Sequence, residues 1–296
     1  MAGDQAARRE LASTARVRLA DSLAHVLGDR FVPEPGTKPD YYGDGIVVSG
    51  VGWLERCPPR AVFPPDDYVD SVATARRRVG LLALRRLGDD ASDARDVATA
   101  VDEVLADAAD WPVQLRRWVD ELDRAGRAAL AAATITWCTS VLRLVGRDPR
   151  IRWADPSRST RWNVPDRLVQ LTATHEAQMG GVVQGERVLV VADGVGGPAD
   201  RIRAGYVALV RAVGTQHAPV RVTLAAPSRG ELTQVAVDAD LLDLAVDRVT
   251  EHVAHRADPD RSPVVPGRWC VHCHLLQDCA EGLARVGAAS VPPEGR

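Results

Sequence analysis

The chain has 296 residues, of which 46% are hydrophobic, so it can bury the core of one large domain or of two smaller ones. Its formal net charge of -3 gives no global case for nucleic-acid binding, although a local basic face remains compatible with it. Lys38 is the only lysine, which excludes any mechanism that needs a lysine after that position.

The N-terminal segment is not expected to be a secretory signal, because it is charged and lacks the apolar region of such a signal. The longest apolar run, 128–142, is interrupted by Thr and Ser and is shorter than a membrane span. We therefore expect a cytoplasmic protein without a membrane segment. In a reducing compartment, clustered cysteines are metal ligands more often than disulfides.

The first half of the chain is predicted to be mainly helical. Residues 1–45 form an N-terminal helix, which stops near Gly28, and a loop rich in Pro and Gly. Residues 46–145 begin with a strand at 46–48, after which Ser49 caps a short helix that leads to Cys57. An all-helical block follows. Its predicted helices are 70–87, 92–109, 112–125 and 126–145.

The character of the sequence changes after Gly146. We predict that residues 146–282 form an α/β unit, introduced by a polar, proline-punctuated connection, and that 283–296 is a disordered tail. Asp238 or Asp240 is a possible helix cap. The predicted strands are 168–177, 187–192, 221–225 and 231–237, and the predicted helices are 199–213 and 240–254. The fold class is thus α/β (α+β), with a helical insertion.

Three of the five cysteines cluster near the end of the chain. Cys270, Cys273 and Cys279 are spaced C-x2-C-x5-C, and Cys57 is a fourth candidate ligand far upstream. Thiolates at this spacing converge readily on one soft metal centre. In zinc sites with four cysteines, the ligands usually come as two closely spaced pairs. One distant cysteine plus three clustered cysteines, as in this chain, suits a four-iron cluster better.

Two alternatives to an iron–sulfur cluster stay open. His272 and His274 lie inside the cluster and are nitrogen ligands suited to zinc. The cysteines are also compatible with reduced thiols that hold no metal. Cys138, by contrast, sits in an apolar helix and is predicted to be a buried core thiol.

The cysteine pattern resembles that of the iron–sulfur branch of the PD-(D/E)XK nucleases, which includes RecB-like and AddB-like domains and CRISPR adaptation nucleases. The segment VVSGVGWLERCPPRAVF is similar to the family's approach to its first cysteine, and the strand–strand–helix order of 168–213 is that of its core. The resemblance covers about 46–87 and 165–282. It implies a restriction-endonuclease-like mixed sheet whose N- and C-terminal segments are joined by a 4Fe-4S cluster on Cys57, Cys270, Cys273 and Cys279.

The family's catalytic positions are mostly altered in this chain. The resemblance implies hydrolysis of phosphodiesters with Mg²⁺ or Mn²⁺ held by acidic side chains. Glu176 falls at the first acid position, whereas Ala192 and Gly194 replace the second acid and the lysine. Asp193 is adjacent, but neighbouring strand residues face opposite sides, so it serves only if the strand bulges. The tyrosine of the family's following helix is kept as Tyr206.

We interpret the chain as a catalytically degenerate nuclease-like module that binds DNA or a partner such as a helicase or ATPase. One alternative is an active Mg-dependent DNA exonuclease that uses Glu176 and Asp193. Another is a zinc-binding interaction domain. Trp153 and Trp162 suggest either stacking on bases or burial, and burial is favoured. His175 is expected to be a strand residue facing solvent. The arginines of 70–87 are either a contact for phosphate or a solvated helix face, and the solvated face is favoured; they are Arg76, Arg77, Arg78, Arg85 and Arg86.

Overall fold

The computed structural model describes residues 2–35, 45–50, 72–89, 96–107, 111, 113–155, 159–180, 185–191, 197–258, 262–267, 270 and 276–290. The helices in these ranges are α1 (Ala2–Leu27), α2 (Val72–Asp89), α3 (Val97–Ala106), α4 (Val113–Asp120), α5 (Arg124–Val145), α6 (Pro198–Thr215), α7 (Ala239–Ala257) and α8 (Ala280–Ser290). The strands are β1 (Ile46–Ser49), β2 (Ile151–Trp153), β3 (Thr160–Asn163), β4 (Val169–Ala173), β5 (Ala177–Met179), β6 (Arg187–Val191), β7 (Arg221–Ala226) and β8 (Glu231–Ala236). The mixed α/β class predicted from the sequence is confirmed.

The strands form two sheets. The larger has the order β2-β5-β6-β7-β8, in which β6 and β7 are parallel and the other neighbours are antiparallel. The smaller has the order β1-β4-β3, in which β1 and β4 are parallel. Helix α6 makes the crossover between β6 and β7, as a parallel pair requires.

The two sheets are joined by one bent hairpin. Trp153 pairs with Ala177 in the large sheet, and Thr160 pairs with Ala173 in the small one. Between these pairs lie residues 154–159 on one side but only 174–176 on the other, so the ladder is interrupted. The single strand predicted at 168–177 is therefore wrong. This segment forms two strands, β4 and β5, which belong to different sheets. Each strand ends where its pairing with neighbouring strands ends, and the local sequence pattern does not mark that point.

The large sheet has an apolar layer on each face. Val188 and Val190 of β6 pack into the core formed with α1, α6 and α7. Leu189 lies on the opposite face beside Leu144 of α5, as strand alternation requires. The helices α2 to α5 form their own core against that side, which includes Leu84, Leu115, Leu130, Trp137 and Cys138.

Aspartate caps start three of the helices. The side chains of Asp96, Asp123 and Asp238 each accept a backbone N–H two or three positions into the helix, at 2.7, 2.7 and 2.8 Å. Asp238, rather than Asp240, is thus the cap of α7. At the other end of α1, Gly28 has φ +56°, a conformation that favours glycine and ends the helix where the sequence predicts.

Two further predictions need correction. The segment after Gly146, predicted as a connection, contains the strands β2 and β3, which are short and depend on their pairing with β5 and β4. The predicted disordered tail begins at 283, but α8 continues through Ser290 because Ala, Leu and Arg favour a helix there. The helix predicted after Ser49 lies outside the described residues.

Helix α5 is long and apolar enough to cross a membrane by length and composition alone. A core helix of a water-soluble domain passes the same test. Its residues Leu130, Trp137 and Val141 are buried in the core that it forms with α2 and α3.

Candidate metal centre and acidic site

Cys270 lies in a tight turn that points a backbone N–H at its sulfur. The Gly267 N–H donates to the Cys270 Sγ at 3.3 Å, while the Cys270 N–H donates to the Gly267 carbonyl at 3.0 Å. Cys270 is only 6% exposed. The sulfur is thus sheltered from solvent and accepts one backbone hydrogen bond.

Cys279 is the residue before the first turn of α8, and its sulfur takes the place of a capping oxygen. The Gly282 N–H donates to the Cys279 Sγ at 3.3 Å, and the Leu283 N–H donates to the Cys279 carbonyl at 2.9 Å. Glu281 Oε2 lies 3.9 Å from the same sulfur, where a protonated thiol can donate to it.

Glycine at position 282 allows the helix backbone to approach the Cys279 sulfur closely. A Cβ there would lie 3.2 Å from the Cys279 Sγ and 3.1 Å from Leu276 Cδ1, both tighter than ordinary contacts. The close approach of the backbone to the sulfur is what allows the N–H···S bond. This role could not be predicted from the sequence, because a glycine three residues after a cysteine has many uses.

Both cysteines accept a backbone N–H at sulfur, and Cys270 is also buried, whereas Cys279 is partly exposed. Hydrogen bonds to sulfur and burial are among the features with which proteins hold and tune iron–sulfur clusters. Cys57 and Cys273, with His272 and His274, lie outside the described residues. Within the described ranges, no three His, Cys, Asp or Glu side chains come together as a metal site.

Cys138 is a core thiol, as predicted. It is fully buried between α5 and α2, with its Sγ 3.5 Å from the Gly80 carbonyl. Burial raises the pKa of the Cys138 thiol to about 12. It therefore stays protonated at neutral pH and is unsuited to ligate a metal.

Glu176 lies in the interruption of the bent hairpin. Its N–H donates to the Leu189 carbonyl at 2.9 Å, although Ala177 is the residue in register with Leu189. Glu176 and Ala177 thus both lie opposite Leu189, which is the geometry of a β-bulge. The Glu176 Oε2 accepts the Val191 N–H at 2.7 Å, so the carboxylate replaces a strand carbonyl where the ladder ends.

The other carboxylate oxygen of Glu176 is bound by an arginine. Arg77 of α2 donates to Glu176 Oε1 and forms an ion pair with it. The Glu176 side chain is 0% exposed, whereas Arg77 is 43% exposed. A buried carboxylate needs such a partner, because leaving it alone in an apolar site is costly. Arg77 is thus partly exposed to solvent, as the predicted helix face requires, but its guanidinium also pairs with a buried carboxylate.

The second candidate acid, Asp193, lies outside the described residues, as do Ala192 and Gly194. The described part of β6 ends at Val191, whose N–H is bound by Glu176. Whether Asp193 shares a site with it stays a prediction.

His175 is not the solvent-facing strand residue that we expected. It lies between β4 and β5, and its Nδ1 is buried without a hydrogen-bond partner among the described residues. Burial and then the charge of Arg211 lower the pKa of His175 to about 4. The reason for the difference is the same hairpin interruption, which turns this residue inward.

Tyr206 ties α6 to the small sheet. Its hydroxyl lies 2.8 Å from the Val48 carbonyl of β1 and 2.9 Å from the Thr172 carbonyl of β4. Burial raises the pKa of this phenol above its usual range, so it remains a donor. The tyrosine kept from the family pattern thus joins two parallel strands.

The two tryptophans of the connection are packing residues. Trp162 is buried in the main core, and the Arg16 guanidinium lies 5.9 Å from the centre of its ring. Trp153 is partly buried against α2, where a Cβ on Gly88 would lie 3.0 Å from its ring. The favoured interpretation, burial, is confirmed for Trp162.

No protein-family model matches the chain, and no curated protein is significantly similar to it. The site must therefore be interpreted from its own geometry.

Proposed function

We propose that the chain is a nuclease-like protein that has lost catalysis and acts as a binding module for nucleic acid or a partner enzyme in DNA processing. A 4Fe-4S cluster on Cys57, Cys270, Cys273 and Cys279 would join its first segment to its last. The strand order supports the nuclease-like core: β5 and β6 are antiparallel, α6 crosses over, and β7 returns parallel to β6.

The loss of catalysis rests on the Arg77–Glu176 pair. A carboxylate that holds Mg²⁺ needs an oxygen open to the ion. Both oxygens of Glu176 are already engaged, by Arg77 and by the Val191 N–H, and its side chain is buried. The guanidinium thus supplies the positive charge that a metal ion would bring. This observation favours the non-catalytic module over an exonuclease that uses Glu176 and Asp193.

The cluster is supported by the two N–H···S bonds at Cys270 and Cys279. When bound, such a cluster would couple folding to metal by linking distant segments. Its role here is structural stapling, since the proposed chemistry needs no electron transfer.

A cleavage and binding assay tests the proposal. Anaerobically purified protein is mixed with labelled single-stranded, duplex and forked DNA, with Mg²⁺ or Mn²⁺. We expect no cleavage by the wild type. Divalent-dependent cleavage that is lost in Glu176→Gln but kept in Glu186→Gln would overturn it. Glu186 is a suitable control because it is also paired with an arginine, but with Arg211 of α6 instead of Arg77 of α2.

The same samples report the binding mode. Retention of DNA without cleavage assigns the module to nucleic acid. The absence of both binding and cleavage assigns it to a partner protein.

A further inference from the structure

The outer edge of β8 is open in the described part of the chain. β8 pairs with β7 alone, and most of its residues are exposed. The Val237 N–H, just after β8, donates to the Val220 carbonyl at 3.1 Å. Antiparallel bonding alternates along a strand, so Leu232, Gln234 and Ala236 point their backbone groups away from β7.

Within β8 itself, this edge has little of the usual protection against pairing, apart from the charge of Glu231 at its start. Edge strands are generally blunted by lysine, proline or a bulge. β8 contains neither residue type, and its register with β7 is unbroken from Glu231 to Ala236. A second strand can therefore bond to it without rearrangement.

A groove runs beside this edge on the face of the large sheet opposite α6. It encloses a cavity of about 160 Å³, close to the volume of one apolar side chain or ring. Its apolar walls include Leu144 at the end of α5, Met179, Leu189 and Leu232. Leu232 is 41% exposed, so the groove opens to the β8 edge.

Two arginines stand side by side in the groove. Arg187 and Arg221 are register partners on the parallel strands β6 and β7, and both line the cavity. Like charges in adjacent strand positions repel each other. None of the described residues lining the cavity is acidic, and the polar partner of Arg221 is Gln234 Oε1 at 2.5 Å. The groove is therefore complementary to an anion.

We propose that β8 and this groove bind an extended, acidic segment of a partner protein, which adds to the sheet as a further strand. Ala236 lies in the same cross-strand row as Arg221 and Arg187. Strands are about 4.8 Å apart, so a carboxylate opposite the small Ala236 reaches Arg221. The partner residue opposite Leu232 lies four positions from that carboxylate along the added strand, and its side chain enters the apolar cavity.

A second copy of this chain is a poorer occupant. The groove-side residues of β8 are Leu232, Gln234 and Ala236, none of which carries a carboxylate. Pairing of two β8 edges would leave both arginines without a counter-charge. The inference does not rest on the metal cluster or on the nuclease-like core.

A charge-reversal experiment tests the proposal on the full-length protein. The probe is a fluorescein-labelled nonapeptide with the sequence Thr-Leu-Thr-Leu-Thr-Glu-Thr-Glu-Thr. A matched probe has lysine in place of each glutamate. We expect wild-type protein to bind the acidic probe, by fluorescence anisotropy, at least about tenfold more tightly than the lysine probe.

The variants separate the groove from the general charge of the protein. Arg187→Glu with Arg221→Glu should reverse the preference between the two probes, whereas Arg9→Glu on exposed α1 should leave it unchanged. Ala236→Pro removes an outward N–H without touching the β7 ladder, and should weaken binding about tenfold. Unchanged melting temperature and metal content show that the variants are folded.

Three results would overturn the proposal. The first is equal binding of both probes by the wild type. The second is a preference that survives the double arginine substitution in folded protein. The third is a concentration-dependent dimer in sedimentation that Ala236→Pro abolishes, which would assign the edge to a second copy.

Discussion

Arg77 of α2 donates to the fully buried carboxylate of Glu176 at the end of the large sheet, and joins the helical block to the sheet. The pair places a fixed positive charge where the family resemblance implies a metal ion. Glu176 also accepts the Val191 N–H at 2.7 Å, so it closes the interrupted ladder.

Arg77→Met should destabilise the protein because it leaves the Glu176 carboxylate buried with no cation. We expect a loss of about 1–3 kcal/mol in the free energy of unfolding, below the usual cost for a fully buried pair since Arg77 is partly exposed. Urea denaturation measures it. The double variant Arg77→Met with Glu176→Gln should lose less than the sum of the single changes. Strict additivity would show that the pair contributes nothing.

Gly80→Ala should destabilise the helical block. A Cβ at Gly80 would lie 2.6 Å from the Trp137 ring, inside a core where α2 and α5 cross. We expect a loss of about 1–3 kcal/mol from overpacking. Gly287→Ala in α8 is the matched control, because nothing lies within 4 Å of the added Cβ. There the better helix propensity of alanine should stabilise the protein slightly. Similar melting temperatures for the two variants would contradict the packing.

The helices and strands that are determined by residues near each other in the sequence could be predicted. Apolar periodicity located most of the helices, and the sequence offered Asp238 or Asp240 as the cap of α7, of which the structure uses Asp238. The sequence did not predict the break at 174–176. The strands on either side of it belong to different sheets, and each ends where its pairing partner ends. Nor did the sequence predict the Arg77–Glu176 pair, whose members are 99 residues apart in sequence. Local patterns carry no signal at that separation.

Stability should fall as the pH drops from 7 towards 4, in part through His252. This residue of α7 is 5% exposed, and burial, then Arg256 and His255, lower its pKa to about 4. In the unfolded chain His252 takes up a proton at about pH 6.5, whereas in the folded protein it stays neutral down to about pH 4. Its contribution to stability is therefore fully present above about pH 6.5 and is lost as the pH falls. Between pH 7 and 5 the loss from His252 should be about 2 kcal/mol.

His252→Gln tests this pH dependence. Urea denaturation at pH 7 and pH 5 should show a smaller loss of stability for the variant than for the wild type. His25→Gln, a change of an exposed histidine on α1, is the control and should keep the wild-type slope. Equal slopes for all three proteins would show that His252 is not held neutral.

Cys57→Ser should destabilise the protein as severely as Cys273→Ser, despite the distance in sequence. Both would remove one ligand of the same proposed cluster, and metal binding is coupled to folding. Thermal melting under anaerobic conditions measures the effect. A melting temperature for Cys57→Ser equal to that of the wild type would remove Cys57 from the site.

The central claim is the iron–sulfur cluster, and the most direct measurement is the iron and acid-labile sulfide content of anaerobically purified protein. The account predicts a brown wild type with about four irons and four sulfides per chain. Cys279→Ser should lose this content, whereas Cys138→Ala should keep it, since Cys138 is a protonated core thiol. A colourless wild type with one zinc ion, or with no metal, would contradict the account.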